Sequence, residues 1–196
     1  KPVNLVVRDG LWTGERTIYH DPVTRVEVWK ITHDPAINRR NYYDMHLWNA
    51  DGSRILFWSY RTGRHDIFLM NADGTGIRNI SIPGMENNPP QTNWAHWSFS
   101  DPEIFYYAKT RGNETVVQSY NWRTGRVADV AVYSEPGFRL YPLHPKEDIF
   151  LLARGNDVGY ASRDGSINRR VTINREHYHR LRFTKGSDHS IFWNTD

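Results

Sequence analysis

Short apolar runs recur along the chain at nearly constant spacing, and polar turns separate them. The four runs each begin with isoleucine and continue with large apolar residues: Ile55–Trp58, Ile104–Tyr107, Ile149–Leu152 and Ile191–Asn194. Their first residues lie 49, 45 and 42 positions apart. Because such short runs are bounded by turn residues, they predict buried strands rather than helices.

A hairpin follows each of the first three runs, and a similar hairpin precedes the first. The turns are rich in Asn, Asp and Gly, which adopt the backbone conformations that hairpins need; they are Asp21–Thr24, Asn71–Gly74, Asn121–Gly125 and Ser162–Gly165. A further strand is predicted ahead of each run, most clearly at His46–Ser53. Each repeat therefore predicts four antiparallel strands in about 40–50 residues, which is typical of a propeller blade.

The repeats predict an all-β fold, a β-propeller of four-stranded antiparallel blades with almost no helix. Whole blades are predicted at 43–82, 93–132 and 138–173, and partial blades at 15–32 and 177–196. Because propellers close with about 4–8 blades, we expect residues 1–196 to form one domain or a segment of a larger ring of about seven blades. The alternative is a four-bladed ring that closes by pairing 15–32 with 177–196.

Composition narrows the classes of partner. The 196 residues include 25 Lys+Arg and 22 Asp+Glu, and a formal net charge of +3 does not make a basic face for nucleic acid. The absence of cysteine excludes disulfide frameworks, thiolate zinc sites and cysteine nucleophiles. No apolar run is long enough for a membrane span. We therefore expect no nucleic-acid and no membrane partner, whereas the aromatic share of 14% suits both strand packing and sugar rings.

The first whole repeat resembles the repeat of TolB-type propellers. The residues that carry the resemblance are Trp48-Asn49-Ala50-Asp51-Gly52-Ser53-Arg54-Ile55-Leu56-Phe57-Trp58-Ser59 and Gly63-Arg64-His65-Asp66-Ile67-Phe68-Leu69-Met70-Asn71-Ala72-Asp73-Gly74. The family pattern is S-P-D-G-x-x-I-x-F-x-S, then a G-x-x-x-I-Y strand and D-x-D-G. The resemblance covers most of 15–196 and implies an architecture. It implies no single function, because such propellers include binding modules, peptidase-associated propellers and enzymes.

The histidines and the segment Leu143–Phe150 are also similar to the propeller-type polysaccharide lyases, namely the oligogalacturonate and ulvan lyases. In those families a mouth of the propeller that is rich in histidine and contains arginine eliminates across a uronic acid. The separations of His46 from His65 and of Tyr107 from Arg123, 19 and 16 residues, resemble the ulvan lyase pattern. The resemblance implies cleavage of an ulvan- or pectin-type polymer by β-elimination, with an acidic polysaccharide as partner and a secreted or periplasmic location.

Blade topology predicts where these side chains meet. Because adjacent strands are antiparallel, the start of the inner strand and the loop after the second strand share one mouth. Histidine and tyrosine suit the base and acid, for which we expect His46 and Tyr107, and arginine neutralises a uronate carboxylate, for which we expect Arg61 or Arg111. We expect His65 to orient the uronate. The catalytic candidates are His46, His65, Tyr107, Arg61, Arg111 and Arg123, and the substrate-binding candidates are Trp94, His96, Tyr60 and Arg154. Arg123 stands on the resemblance alone, since its turn should project from the opposite mouth.

His177 and His179 form a candidate metal site, because alternate residues of a strand face the same side. Oligogalacturonate lyases hold a divalent metal with histidines, so the resemblance implies the same cofactor here, and no other cofactor is predicted.

Two function classes stay open. A lyase needs His, Tyr and Arg to converge in one pocket, whereas a non-catalytic TolB-like module that binds protein or glycan can spread them over a face.

Overall fold

The computed structural model describes residues 7–8, 10–40, 46–80, 95–173, 181–183 and 191–193. Within these ranges every regular element is a β-strand, which confirms the all-β prediction. None of the described segments forms a helix with the length and hydropathy to cross a membrane. The chain divides into two compact units, the first of residues 1–42 and 47–86 and the second of residues 43–46 and 87–196.

The described strands of the first unit form two antiparallel sheets. In chain order they are β1 (Val7–Arg8), β2 (Leu11–Trp12), β3 (Thr17–His20), β4 (Glu27–Lys30), β5 (Asn38–Arg40), β6 (Arg54–Ser59), β7 (Asp66–Asn71) and β8 (Ile77–Asn79). Sheet A has the order β1-β2-β8-β7-β6-β5, and β3 and β4 form a separate hairpin within the predicted 15–32. The segment predicted as inner strand and turn, His46–Ser53, pairs with the start of β6 only through a short bridge: Trp48 lies antiparallel to Ile55, and the Asn49 amide donates to the Arg54 carbonyl at 3.1 Å. The other half of β6 pairs with β5, which the sequence did not predict.

The second unit contains two four-stranded sheets and a short hairpin. Its described strands are β9 (His96–Trp97), β10 (Ile104–Arg111), β11 (Glu114–Asn121), β12 (Val127–Tyr133), β13 (Arg139–Leu140), β14 (Ile149–Arg154), β15 (Asp157–Ser162), β16 (Asn168–Thr172), β17 (Leu181–Phe183) and β18 (Ile191–Trp193). Sheet B has the order β12-β11-β10-β9, sheet C runs from β13 to β16, and β17 pairs with β18. Sheets B and C are therefore the antiparallel four-stranded repeats that the sequence predicts.

The apolar runs are continuous because both faces of the strands that carry them are covered. In sheet A, side chains that point to one face of β6, β7 and β8 form one core; they are Ile55, Phe57, Phe68, Met70 and Ile77. Leu56 and Leu69 on the opposite face are also buried. Since successive residues of a strand point to opposite faces, a run without polar positions is what such a strand needs.

Tyr133 of β12 packs directly on Gly159 of β15, so sheets B and C approach closely at this point. A Cβ added at position 159 would lie 2.7 Å from the Tyr133 ring atom Cζ, closer than carbon atoms approach in proteins. Only glycine therefore allows this contact. The shared core around it contains Tyr106 and Phe138 from sheet B and its following loop, and Phe150 from sheet C.

The carboxylate of Glu147 joins sheets B and C at the end where β9 leads into β10. It is buried, and it accepts hydrogen bonds from Ser98 Oγ at 2.9 Å, from the Tyr106 hydroxyl at 2.8 Å and from the Phe99 amide. The backbone φ of Glu147 is +55°, which residues with a side chain rarely adopt. Burying a carboxylate is costly unless hydrogen bonds replace its water, and these donors provide that replacement.

The turns after β3 and β11 have the same hydrogen bonds but differ at one position. Asp21 and Asn121 each accept a bond from the amide three residues later, at 2.7 and 2.9 Å. The fifth residue of each turn lies in the left-handed region, with φ of +62° at Arg25 and +73° at Gly125. One turn therefore carries a side chain where its counterpart has glycine.

We expect Arg25→Gly to raise the free energy of unfolding by about 1 kcal/mol, because glycine adopts this φ without steric cost. Chemical denaturation measures the change. The reverse substitution, Gly125→Arg, is the matched control and should lower stability by a similar amount. A less stable Arg25→Gly protein would contradict the strain assigned to this turn.

Candidate active site

One end of sheet A brings together a histidine, a tyrosine and an arginine. The loop between β6 and β7 carries Tyr60 and His65, and β5 places Arg39 directly opposite Trp58. The His65 ring stacks on Trp58 with centroids 4.9 Å apart and planes at 18°, and it lies 4.8 Å from the Tyr60 ring. His65 and Tyr60 are among the candidates that the sequence predicts. Arg39 is not, because β5 is short and polar and shows no apolar alternation.

The surroundings of His65 favour its neutral form. Burial lowers the pKa of His65 below its ordinary value, and the positive charge of Arg39 lowers it further, against a smaller opposing effect of Asp66. A lowered pKa leaves the imidazole unprotonated at neutral pH. That is the state in which a histidine takes up a proton as a general base.

Arg39 has donors to offer a ligand. It is exposed, and among the described residues no carboxylate or other acceptor binds its guanidinium or that of Arg40. A cavity of about 170 Å³ adjoins both arginines and has Phe57 and Met70 among its apolar lining residues. Because a guanidinium pairs with a carboxylate through two parallel hydrogen bonds, this position suits the binding of an acidic ligand.

Arg61, in the same loop, is held by internal contacts. Its Nη1 lies 2.7 Å from Glu15 Oε1 and its Nη2 donates to Asn38 Oδ1 at 2.9 Å. The two charged side chains are only 1% and 2% exposed. The other Glu15 oxygen accepts the amides of His33 and Asp34 at 2.6 and 2.9 Å. These contacts favour a structural role for Arg61 over the predicted neutralisation of a uronate.

Tyr107 begins a chain of hydrogen bonds that runs from the core of sheet B to its surface. The buried hydroxyl donates to Gln118 at 2.8 Å, Gln118 donates to Asp129 at 2.6 Å, and Arg111 donates to the other Asp129 oxygen at 2.5 Å. Burial raises the pKa of Tyr107. The chain uses both the hydroxyl and the guanidinium internally, so it favours packing roles for Tyr107 and Arg111 over those of acid and carboxylate binder.

His96 and Arg154 make contacts between sheets B and C. His96 is buried, with Nε2 3.4 Å from the Leu140 carbonyl oxygen. Arg154 lies over the Phe138 ring at 4.6 Å and donates to Glu135 at 2.9 Å. A sealed imidazole and a paired guanidinium are poorly placed for the predicted contacts with substrate.

Arg123 lies at the opposite end of sheet B from Arg111. It pairs with Glu103 and stacks over Trp122, within the turn between β11 and β12. Antiparallel pairing puts this turn and the loop between β10 and β11 at opposite ends of the sheet. The placement follows the topological argument rather than the family spacing.

His46 is exposed, and its ring meets the edge of Phe99 with centroids 5.0 Å apart. His46 and His65 belong to different units, so their predicted approach stays a prediction. Trp94, His177 and His179 lie outside the described residues. Among the residues that are described, no three His, Asp or Glu side chains come together as a metal site.

Comparisons with known proteins give a fold but no family. No family model and no curated protein matches the chain. The chain is similar to the solved structure of an oligogalacturonate lyase from Vibrio parahaemolyticus, at 16% identity and a TM-score of 0.54, over 75% of this chain and 36% of that one. An oligogalacturonate lyase in complex with manganese gives the same four values. TolB from Acinetobacter baumannii is 16% identical over 85% of this chain and 38% of that one, with a TM-score of 0.45.

The chain thus has a β-propeller fold that resembles oligogalacturonate lyase. It spans 36% of the length of those lyase chains. At this level of identity the likeness concerns the arrangement of strands.

We expect Arg61→Ala to lower the free energy of unfolding by about 3–5 kcal/mol, because it leaves the Glu15 carboxylate buried without its counter-charge. Urea denaturation measures the change. Arg64→Ala is the matched control from the same loop, since the Arg64 side chain is 61% exposed and lies 3.9 Å from Asp66. An Arg61→Ala protein as stable as the parent would argue against the structural role.

His96 should make the second unit sensitive to acid. Burial lowers the pKa of His96 from 6.5 to about 4. As pH falls from about 6.5 to about 4, the unfolded chain takes up a proton that the folded chain does not, so stability decreases by up to about 3 kcal/mol. Denaturation at several pH values across this interval should show a smaller decrease in His96→Gln. Equal decreases in the two proteins would show that other groups cause it.

Proposed function

We propose that this chain is part of a polysaccharide lyase that cleaves a uronic-acid-containing polymer, of ulvan or pectin type, by β-elimination. The observation that carries the proposal is the neutral His65 imidazole, in contact with Trp58 and Tyr60 and near the guanidinium of Arg39, which no acceptor among the described residues binds. The fold shared with oligogalacturonate lyases supports it.

Arg39 pairs with the uronate carboxylate, which makes the proton at C5 of the sugar more acidic. His65 removes this proton. The electron pair left on C5 forms the C4–C5 double bond, and the bond from C4 to the glycosidic oxygen breaks. The Tyr60 hydroxyl donates its proton to the departing oxygen, so the products are an unsaturated uronate and a new hydroxyl end.

Tyr60 and Arg39 take the roles for which the sequence suggested Tyr107 and either Arg61 or Arg111, and His65 takes the role of base that the sequence suggested for His46. Tyr107 is enclosed in sheet B and Arg61 is paired with Glu15, whereas the Tyr60 hydroxyl bonds to no described residue. The proposal routes no step through a metal. The proposed substrate is an acidic polysaccharide, and the location proposed with it is secreted or periplasmic.

A non-catalytic propeller that binds protein or glycan is the second candidate. The internal pairing of Arg61, Arg111 and Arg154 favours it, since each of these guanidinium groups already binds a carboxylate of its own unit. Binding through Arg39 and the aromatic rings would need no proton transfer.

We expect His65→Ala and Arg39→Ala each to lower kcat by about 10²–10⁴-fold, with a much smaller change in KM, because both groups act in the transition state. Ultraviolet absorbance of the unsaturated uronate measures turnover on a panel of uronate polymers. Arg64→Ala is the matched control in the same loop and should leave kcat unchanged.

The result that would overturn the lyase is a parent protein that binds these polymers without producing an unsaturated uronate, which would establish the binding module. Tyr60→Phe and Tyr107→Phe locate the acid. Loss of turnover in Tyr107→Phe alone would move the acid to sheet B.

A further inference from the structure

A cavity lined by both charged and apolar side chains lies at the end of sheet C opposite the loop between β14 and β15. Its volume is about 390 Å³, and its walls are Asp148 and Ile149 at the start of β14 and the turn between β15 and β16. The volume is within the range of ligand pockets, roughly 300–1,000 Å³. None of its residues belongs to the proposed lyase site.

Asp164 presents a fixed carboxylate in this cavity. Its Oδ1 accepts hydrogen bonds from Ser162 Oγ at 2.6 Å, the Ser166 amide at 2.9 Å and Ser166 Oγ at 2.7 Å. These bonds lower the pKa of Asp164 to about 2, so the group is charged at neutral pH. They use only one oxygen, and among the described residues no donor binds Oδ2.

Arg163 and Asp148 add a fixed donor and a second acceptor. Arg163 Nε and Nη2 donate to the Glu147 carbonyl at 3.2 and 3.1 Å, and Nη2 also donates to the Tyr106 hydroxyl at 3.0 Å. These bonds hold the guanidinium, while its Nη1 donates to no described residue. Asp148 has Oδ1 2.8 Å from His144 Nδ1, and its side chain is 48% exposed.

The net charge of the cavity and its hydrogen-bonding groups indicate which class of ligand it binds. The carboxylates of Asp148 and Asp164 outnumber the one guanidinium of Arg163, so the cavity repels an anionic sugar. Neighbouring hydroxyl groups of a sugar donate and accept at once, which matches fixed carboxylates beside a fixed guanidinium. Ile149 and Ile167 offer apolar surface to the C–H groups of the ring. A divalent cation is less suited, since no three ligating side chains gather among the described residues.

We propose that this cavity binds an uncharged saccharide, at a site independent of the proposed lyase chemistry. The probes are cellotetraose, maltotetraose and a galactose tetrasaccharide, with trigalacturonate as the charged comparison. Ligand-observed NMR and titration calorimetry on the full chain measure binding. At least one neutral probe should bind, and trigalacturonate should not bind in a way that depends on Asp164.

Asp164→Asn should weaken binding of the neutral probe about tenfold, the loss expected for one charge-assisted hydrogen bond. The amide retains an oxygen for the turn but replaces the second acceptor with a donor. Asp73→Asn is the matched control. Asp73 accepts the Thr75 amide and hydroxyl at 2.9 and 2.6 Å in the corresponding turn of sheet A, and it does not line this cavity, so binding should not change.

Asp148→Asn is a second variant that leaves the turn intact, and circular dichroism checks that each variant is folded. The proposal is overturned if no neutral probe binds the parent, if both cavity variants bind like the parent, or if calcium alone binds in an Asp164-dependent way. Lyase activity should be unchanged in Asp164→Asn. The two proposals therefore fail separately, since saccharide binding does not require turnover.

Discussion

A buried glutamate carboxylate organises each of the two units. In the first unit, Glu15 binds the Arg61 guanidinium and two backbone amides. In the second, Glu147 binds hydroxyl groups and amides from the segment after β9 and from β10. A carboxylate without such donors is far too costly to bury. The loops that carry the donors must therefore lie within hydrogen-bond distance of the carboxylate oxygens. The strands supply hydrophobic burial, and the carboxylates determine how loops meet them.

The same constraint separates structural arginines from those available to a ligand. Arg61, Arg123 and Arg154 each have a carboxylate partner within the chain, which neutralises the charge that would otherwise attract a uronate. Arg39 has no such partner among the described residues, and it lies beside a histidine whose pKa is lowered. The composition of the chain does not distinguish these arginines, whereas the side chains that bind them do.

The sequence predicted the strands well because the signals are local. The apolar runs starting at Ile55, Ile104 and Ile149 became β6, β10 and β14, with a tight turn after the strand that follows each of them. The site was less predictable, since its determinants are distant in sequence. Glu15 is 46 residues from Arg61, and the polar strand that carries Arg39 has no pattern that marks it as the inner strand.

The joint at Glu147 also bears on the order of folding. Sheets B and C are built from strands adjacent in sequence, so their hairpins close short loops and form rapidly. Glu147, by contrast, meets Ser98 and Tyr106 across 49 and 41 residues. We expect this contact to form later than the hairpins, because its donors come from one sheet and its loop leads into the other. Together with the shared core around Tyr133 and Gly159, this carboxylate couples the two sheets, so we expect them to unfold as one cooperative unit.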